Sequence, residues 1–371
     1  MRPVVAFDAN PVVRDSITGT ELVALELALR LPALVPEADW VLYAARPAPA
    51  LPLDLTVLPM RRLWSQLRLP LELSIRRPDL LFVPSHVVPF LAPGPALTII
   101  HDLAFERFPE AYSAGTRSYL RLSTRWAERR CEVLLAVSEA TKRDLVELHG
   151  IDPERVVVAH PGGGGATAGA EPAGSDPDRL AAIGLSGPFF LQVGRVERRK
   201  NQLAALAAVE SLPGMRLVCA GGVHDAGIAD RVRTSPAGVL LGRVPAGDLA
   251  LLYRNATAVV VPSLHEGFGF PVLEAMAAGT PVVTSRRSSL PEVGGDAVLY
   301  VENPEDSQAL AEALSQIGQE PLRSRLIRAG RERAAEFTWE RFAGTVGDVI
   351  RGLLSPAPPE PARSSPPTAT S

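Results

Sequence analysis

The chain of 371 residues is poor in cysteine, lysine and long apolar runs. Its two cysteines, Cys131 and Cys219, stand alone beside apolar segments. That spacing offers neither a disulfide framework nor a metal site and reads as two buried core thiols. Only two lysines occur, Lys142 and Lys200, and the remaining side-chain cations are arginines. An enzyme working through a Schiff-base lysine would have only these two candidates, so that chemistry fits poorly. No uninterrupted apolar stretch reaches the length of a membrane-spanning helix. The opening Met1–Asp8 runs straight into a strand pattern without a signal-peptide core, which predicts a cytoplasmic protein. A net charge of −3 lacks the basic excess of a nucleic-acid binder, so no nucleic-acid partner is expected and any basic surface must be local.

What is present is a long globular sequence, 46% hydrophobic and 21% charged, too long for one ordinary core and suited to two domains of about 150 residues. Short Val/Ile/Leu-rich runs alternate with helical patterns, the mark of parallel sheets covered by crossover helices. One series of strands is expected near residues 4–7, 40–43, 80–83, 97–100, 133–137 and 156–159, with helices over 21–31, 117–130 and 139–149. A second is expected near 189–193, 216–220, 239–241, 258–261, 281–284 and 298–301. The run from Pro161 to Pro172 is too glycine-rich to pack and reads as a linker. The fold class is therefore α/β, with two Rossmann-like doubly wound domains, 1–165 and 187–337, joined by a linker over 166–186 and facing each other across a cleft. Residues 338–354 read as a last helix, and the Pro/Ser-rich 355–371 as a disordered tail.

The most informative run is His265-Glu266-Gly267-Phe268-Gly269-Phe270-Pro271-Val272-Leu273-Glu274, between an apolar strand and a helix. Pro271 suits the first turn of a helix that continues to Ala278, and Gly279 closes it. In open α/β sheets ligands sit beyond the carboxyl ends of strands, where helix N-termini present unpaired N–H groups to phosphates. Glu266 falls in that crevice and Glu274 one to two turns down the helix. One carboxylate at each end suits a ligand with hydroxyls at both ends, such as a nucleotide sugar.

Glu-x7-Glu with these interleaved glycines, and the trailing Glu-Ala-Met-Ala-Ala-Gly-Thr-Pro-Val-Val, resembles the signature of family-four retaining glycosyltransferases. The resemblance implies the GT-B arrangement, with 338–354 crossing back onto the first domain. It implies that Glu266 and the main chain of Gly267, Phe268, Gly269 and Phe270 contact the donor sugar and its phosphates, and that Glu274 binds the ribose hydroxyls. Gly194-Arg195-x4-Lys200 matches the family's Gly-Arg-x4-Lys pattern, which implies that Arg195 and Lys200 stabilise the departing diphosphate. His101, at the end of a strand in His101-Asp102-Leu103, would by resemblance hydrogen-bond the donor hexose and polarise the reacting centre. Gly19 would let the backbone approach the donor phosphates. Arg198 and Arg199 read as solvated or turned toward acidic neighbours, Ser138 as a helix cap, and Asp102 as either the partner of His101 or a cap.

The expected activity is a metal-independent, retaining transfer of a hexose or deoxyhexose, mannose or rhamnose among them, to a saccharide or lipid-linked saccharide in cell-surface glycan synthesis. No cofactor is expected beyond the nucleotide-sugar co-substrate, with a GDP- or dTDP-sugar favoured. Asp176-Pro177-Asp178 imitates a metal-binding Asp-x-Asp but lies in the expected linker. Met60–Leu69 mixes arginine and apolar residues as an interfacial helix would, giving a peripheral membrane contact as one reading. An ordinary amphipathic helix truncated by Pro70 is the favoured other. The first loop, where Gly19 is followed by Thr20 and Glu21, and the four-glycine linker both depart from the family pattern, which leaves the acceptor less defined than the donor. Two rivals stay open: a sugar-nucleotide epimerase or hydrolase, and a non-catalytic binding protein.

Overall fold

The computed structural model describes residues 1–14, 19–48, 52–163 and 176–355. Residues 166–175 of the expected linker and the tail from residue 356 lie outside the described residues, as does part of the first loop. The first sheet contains β1 (Val4–Asp8), β2 (Asp39–Ala44), β3 (Leu55–Val57), β4 (Leu80–Val83), β5 (Ala96–Ile100), β6 (Cys131–Ala136) and β7 (Val156–Val158). Its helices are α1 (Gly19–Leu34), α2 (Leu69–Arg76), α3 (Ala104–Arg107), α4 (Ala114–Arg130) and α5 (Glu139–His149). The second sheet contains β8 (Phe189–Val193), β9 (Arg216–Ala220), β10 (Gly238–Gly242), β11 (Ala258–Val261), β12 (Val282–Ser285) and β13 (Leu299–Val301). Around it lie α6 (Asp176–Ala182), α7 (Gln202–Glu210), α8 (Ala226–Thr234), α9 (Ala246–Asn255), α10 (Phe270–Ala278), α11 (Leu290–Gly294), α12 (Ser307–Ile317) and α13 (Leu322–Ala334). The described chain closes with α14 (Trp339–Leu354).

The first sheet runs β3-β2-β1-β4-β5-β6-β7 and the second β10-β9-β8-β11-β12-β13, every pairing parallel. Both are doubly wound, as the alternation of apolar runs and helical patterns implies. Strand order reverses between β1 and β4 and between β8 and β11, so each domain has a crevice at the carboxyl ends of those strands. Central strands such as Leu80–Val83 and Ala258–Val261 are buried throughout, which explains their uninterrupted apolar sequences. β3 was not anticipated, because it is three residues long, partly exposed and at the sheet edge.

Two departures follow from local chemistry. Residues 176–182, expected within the linker, form α6, which Arg179 ties to Asp248 at 2.7 Å and Asp176 ties to Asn255 at 2.9 Å. Asp176 thus serves a helix start. Pro70 does not truncate a helix over 60–69 but opens α2, where a missing N–H leaves no intrahelical bond unmade. Residues 64–68 form a wider turn leading into it.

One apolar core runs through both domains, joined by Phe268, Phe337, Trp339 and Phe342. Phe268 meets Phe270 and Phe337 edge-on, and Phe270 stacks on Trp339 at 6.3 Å. The chain crosses between domains twice at this cluster: the Gly163 N–H donates to the Phe337 carbonyl at 3.0 Å. α14 then lies on α1, with Gly347 against Val35 and Leu31, Arg30 paired to Glu340 and Arg351 to Glu37. A Cβ at Gly162 would overlap the backbone of Thr338 and Trp339. Gly162→Ala should therefore destabilise the protein by about 1–3 kcal/mol, the usual range for overpacking, read as a lower midpoint in urea; an unchanged midpoint would show that the two crossings are not in contact.

Candidate active site

The site forms where the strand-order reversal of the second sheet leaves β8 and β11 diverging. After β8 the chain turns at Gly194 into Arg195 and a short helical turn over Arg198–Lys200. After β11 it passes through Pro262 and Ser263 to Glu266. The two segments meet in a buried ion pair: Lys200 Nζ lies 2.5 and 2.6 Å from the two Glu266 carboxylate oxygens. The Ser263 hydroxyl donates to Glu266 Oε1 at 2.7 Å, and Arg199 Nη1 stands 3.6 Å from Oε2. Burial draws the Lys200 ammonium below its ordinary range. It would also lift the Glu266 carboxyl, but Lys200 and Arg199 hold that carboxyl low. Arg195 is exposed, and its side chain has no hydrogen-bond or ion-pair partner among the described residues. A bound anion would find one free guanidinium and one ammonium already committed to a carboxylate.

Of the two expectations for Arg199, solvated or turned toward acidic neighbours, the second holds: it is buried between Glu197 and Glu266. It donates to Glu197 at 2.6 Å and to the His265 carbonyl at 2.6 Å, so it clamps the Glu266 loop to the β8 loop. The helical turn directs Arg199 and Lys200 inward and leaves Arg198 exposed, which neighbouring identical residue types could not signal. Ser288 and Ser289 hold the same loop from behind, accepting the Glu266 N–H and donating to the Glu266 and Phe268 carbonyls.

The opposite wall comes from the first domain. Gly267 sits directly on the end of β5: a Cβ there would overlap the His101 carbonyl oxygen. Its own carbonyl accepts from Ser138 at 2.6 Å and Thr141 at 3.3 Å, so Ser138 caps α5 and also joins the domains. His265 bonds Asp144 of α5 at 3.1 Å, and Arg107 holds the same carboxylate. His101 Nε2 lies 2.8 Å from the Pro84 carbonyl. A carbonyl can only accept, so that nitrogen carries the proton and Nδ1 is left as an acceptor. Burial pushes the His101 imidazole down, keeping it neutral at physiological pH. Asp102 accepts from the Ala104 N–H at 3.0 Å, the capping alternative. Tyr112 adds a phenol near Asp102, Arg199 and Arg195, and burial raises it to about 12.

Glu274 occupies a different environment from Glu266. It is buried in α10, accepting from Tyr253 at 2.7 Å, and burial pushes its carboxyl up to about 7. α10 starts at Phe270 after Gly269 in the left-handed region, has Pro271 in its first turn and ends at Gly279. The side chains of Phe268 and Phe270 belong to the interdomain aromatic cluster, so this loop offers a ligand its main chain. Gly19, at the start of α1, packs against the Phe270 ring. The structure thus gathers Gly194, Lys200, Glu266 and Gly267 with His101 around one cleft, whereas Glu274 lies in the helix behind it. Among the described residues no three His, Cys, Asp or Glu side chains cluster as a metal site would need. Asp144, His265, Arg199, Tyr112 and the serine pair escaped the sequence reading because their roles depend on contacts between distant segments.

Two outcomes follow from these charges. Lys200→Ala strands a buried carboxylate and should cost about 3–5 kcal/mol, whereas adding Glu266→Gln should recover most of it; urea unfolding of both variants compares them, and additive losses would rule out the pair. Glu274 binds its proton more tightly when folded, so the stability it contributes is full below about pH 4.5 and lost as pH rises through about 7. Glu274→Gln should match wild type near pH 5 and exceed it by about 1–3 kcal/mol at pH 9. A stability difference that is flat with pH would mean the carboxylate stays ionised.

Residues 17–162 match the family model "Glycosyltransferase Family 4", and residues 181–333 match "Glycosyl transferases group 1". The chain is 33% identical over 260 residues to O-antigen chain mannosyltransferase B of Escherichia coli, covering 66% of this chain and 67% of that protein. It is 32% identical over 222 residues to D-inositol 3-phosphate glycosyltransferase of Mycobacterium tuberculosis (strain F11), covering 56% of this chain but only 46% of that relative. Among solved structures, sucrose-phosphate synthase of Thermosynechococcus elongatus superposes with a TM-score of 0.72 at 22% identity, over 95% of this chain and 99% of that one. HepE of Anabaena, in complex with UDP-glucose, gives 0.73 at 17%, over 94% and 100%. The two matched stretches cover the second sheet and all of the first but β1, in the two doubly wound domains of a GT-B fold, and the chain belongs to the family-4, group 1 glycosyltransferases.

Proposed function

We propose that the chain transfers a hexose or deoxyhexose from a nucleotide diphosphate sugar to a hydroxyl of a saccharide or lipid-linked saccharide, with retention and without a metal. The observation that carries this reading is the Lys200–Glu266 pair at the β8–β11 crevice, with Arg195, unpartnered among the described residues, on the same loop and the neighbouring Gly267 packed on the His101 carbonyl at the end of β5. The donor diphosphate would lie along Arg195 and Lys200, with the sugar between Glu266 and His101. As the C1–oxygen bond to the diphosphate breaks, negative charge grows on the leaving oxygen and the two cations stabilise it. The acceptor oxygen bonds to C1 from the same face, and its proton passes to the leaving phosphate oxygen. His101 Nδ1 accepts from a sugar hydroxyl and orients the ring. A ribose diol donating to Glu274 would favour its ionised form, so binding there would release a proton.

Mannose carried by GDP is the first donor to try, given the similarity to a mannosyltransferase. dTDP-rhamnose follows from the sequence pattern, and UDP-glucose is included because HepE was solved with it. The test is release of nucleoside diphosphate with and without saccharide acceptors, in the presence of a chelator, with the anomeric configuration of the product read by NMR. Acceptor-dependent release with retained configuration is expected. Arg195→Ala, an exposed change, should lower kcat/KM by roughly 10²–10³-fold with an unchanged melting midpoint. Release that ignores the acceptor would indicate a hydrolase or epimerase, and donor binding without turnover a binding protein.

A further inference from the structure

Leu63, Leu67, Leu71 and Ile75 recur every fourth residue through the turn at 64–68 and α2, and they are 64%, 49%, 58% and 69% exposed. The opposite face of the same segment carries Trp64, Leu69, Pro70 and Leu73, all buried. The fold therefore uses one apolar face, and a second points into solvent, where a globular helix normally carries charge. α4 lies alongside, joined by Gln66 to Tyr119 at 3.5 Å, and adds exposed Tyr119 and Leu122.

The charge around this surface is predominantly positive. Residues 60–77 hold five arginines and one acid, Glu72, which Arg68 and Arg76 already engage. Residues 114–130 hold five arginines, of which Arg117 and Arg121 engage Glu106 of α3, and one acid, Glu128, which is buried against His149. Arg61, Arg62, Arg77 and Arg125 are exposed, with no side-chain partner among the described residues. In a chain of net charge −3 this is a local concentration of cations around bare leucines.

We infer that this face docks on the surface of an anionic lipid bilayer, the leucine stripe entering the acyl boundary and the arginines meeting the phosphates. An apolar stripe flanked by guanidiniums matches that boundary, which is apolar below and anionic above. A second copy of this chain would bring the same cations face to face, which disfavours it as the occupant. No helix among the described residues is long and apolar enough to cross a membrane, so the contact is a surface one.

Sedimentation with vesicles of phosphatidylglycerol and phosphatidylcholine tests this. The full chain should pellet with phosphatidylglycerol-containing vesicles, stay in solution with pure phosphatidylcholine, and be released by high salt. Leu67→Glu/Leu71→Glu should abolish binding, and Arg61→Ser/Arg62→Ser should weaken it about fivefold for each arginine removed. All four positions are at least partly surface-exposed and outside the cleft, so melting midpoints and transfer to a water-soluble acceptor should stay at wild-type levels; loss of that transfer in wild type would count against the proposed activity, not against docking. Wild type left in the supernatant, or leucine variants that pellet as well as wild type, would overturn the inference. A dimer in vesicle-free solution that the leucine variants dissolve would assign the face to a second copy and overturn it equally.

Discussion

The buried pair between Lys200 and Glu266 fixes most of what surrounds it. An ammonium and a carboxylate that leave water together need close contact and further hydrogen bonds to remain charged. Ser263 supplies a hydrogen bond and Arg199 a positive charge 3.6 Å from the carboxylate, and the Arg199 guanidinium is itself satisfied by Glu197 and the His265 carbonyl. The loops after β8 and β11 are thus cross-linked by charge, which fixes the Lys200 ammonium against the Glu266 carboxylate. Arg195 is left outside this network as the one cation of the set without a partner among the described residues.

The two glutamates of the motif have opposite surroundings, and their chemistry divides accordingly. Glu266 is held ionised by two cations, whereas Glu274, beside Tyr253 and far from compensating charge, keeps its proton into the neutral range. Sequence spacing treats them as equivalent carboxylates. The structure separates a fixed anion at the crevice from a proton-binding group behind it.

The architecture was legible because alternating apolar runs and helical patterns encode a parallel sheet locally, and strands such as Leu80–Val83, Phe189–Val193 and Ala258–Val261 fall where the pattern puts them. The ends of α10 were legible too, since Pro271 and Gly279 act through their own backbones. Contacts made across long sequence separations were not. Arg199 lies between Arg198 and Lys200 and differs from Arg198 only in the direction its turn gives it. Asp144 reads as one more acid on an amphipathic helix until His265, 121 positions away, reaches it. β3 and α6 were missed for a different reason: an edge strand of three residues and a helix beside a glycine-rich run carry too little pattern to register.

The paired crossing at Gly163 and Phe337 has a mechanical consequence. Two segments of chain bonded side by side and packed among Phe268, Phe270 and Trp339 are placed as a pivot would be. Rotation about it would part Gly267 from the end of β5 and leave the contacts among Phe268, Phe270 and Trp339 in place. Ser138, Thr141 and Asp144, which bond the Gly267 carbonyl and His265 on the far side, would then set the energetic threshold for opening the cleft.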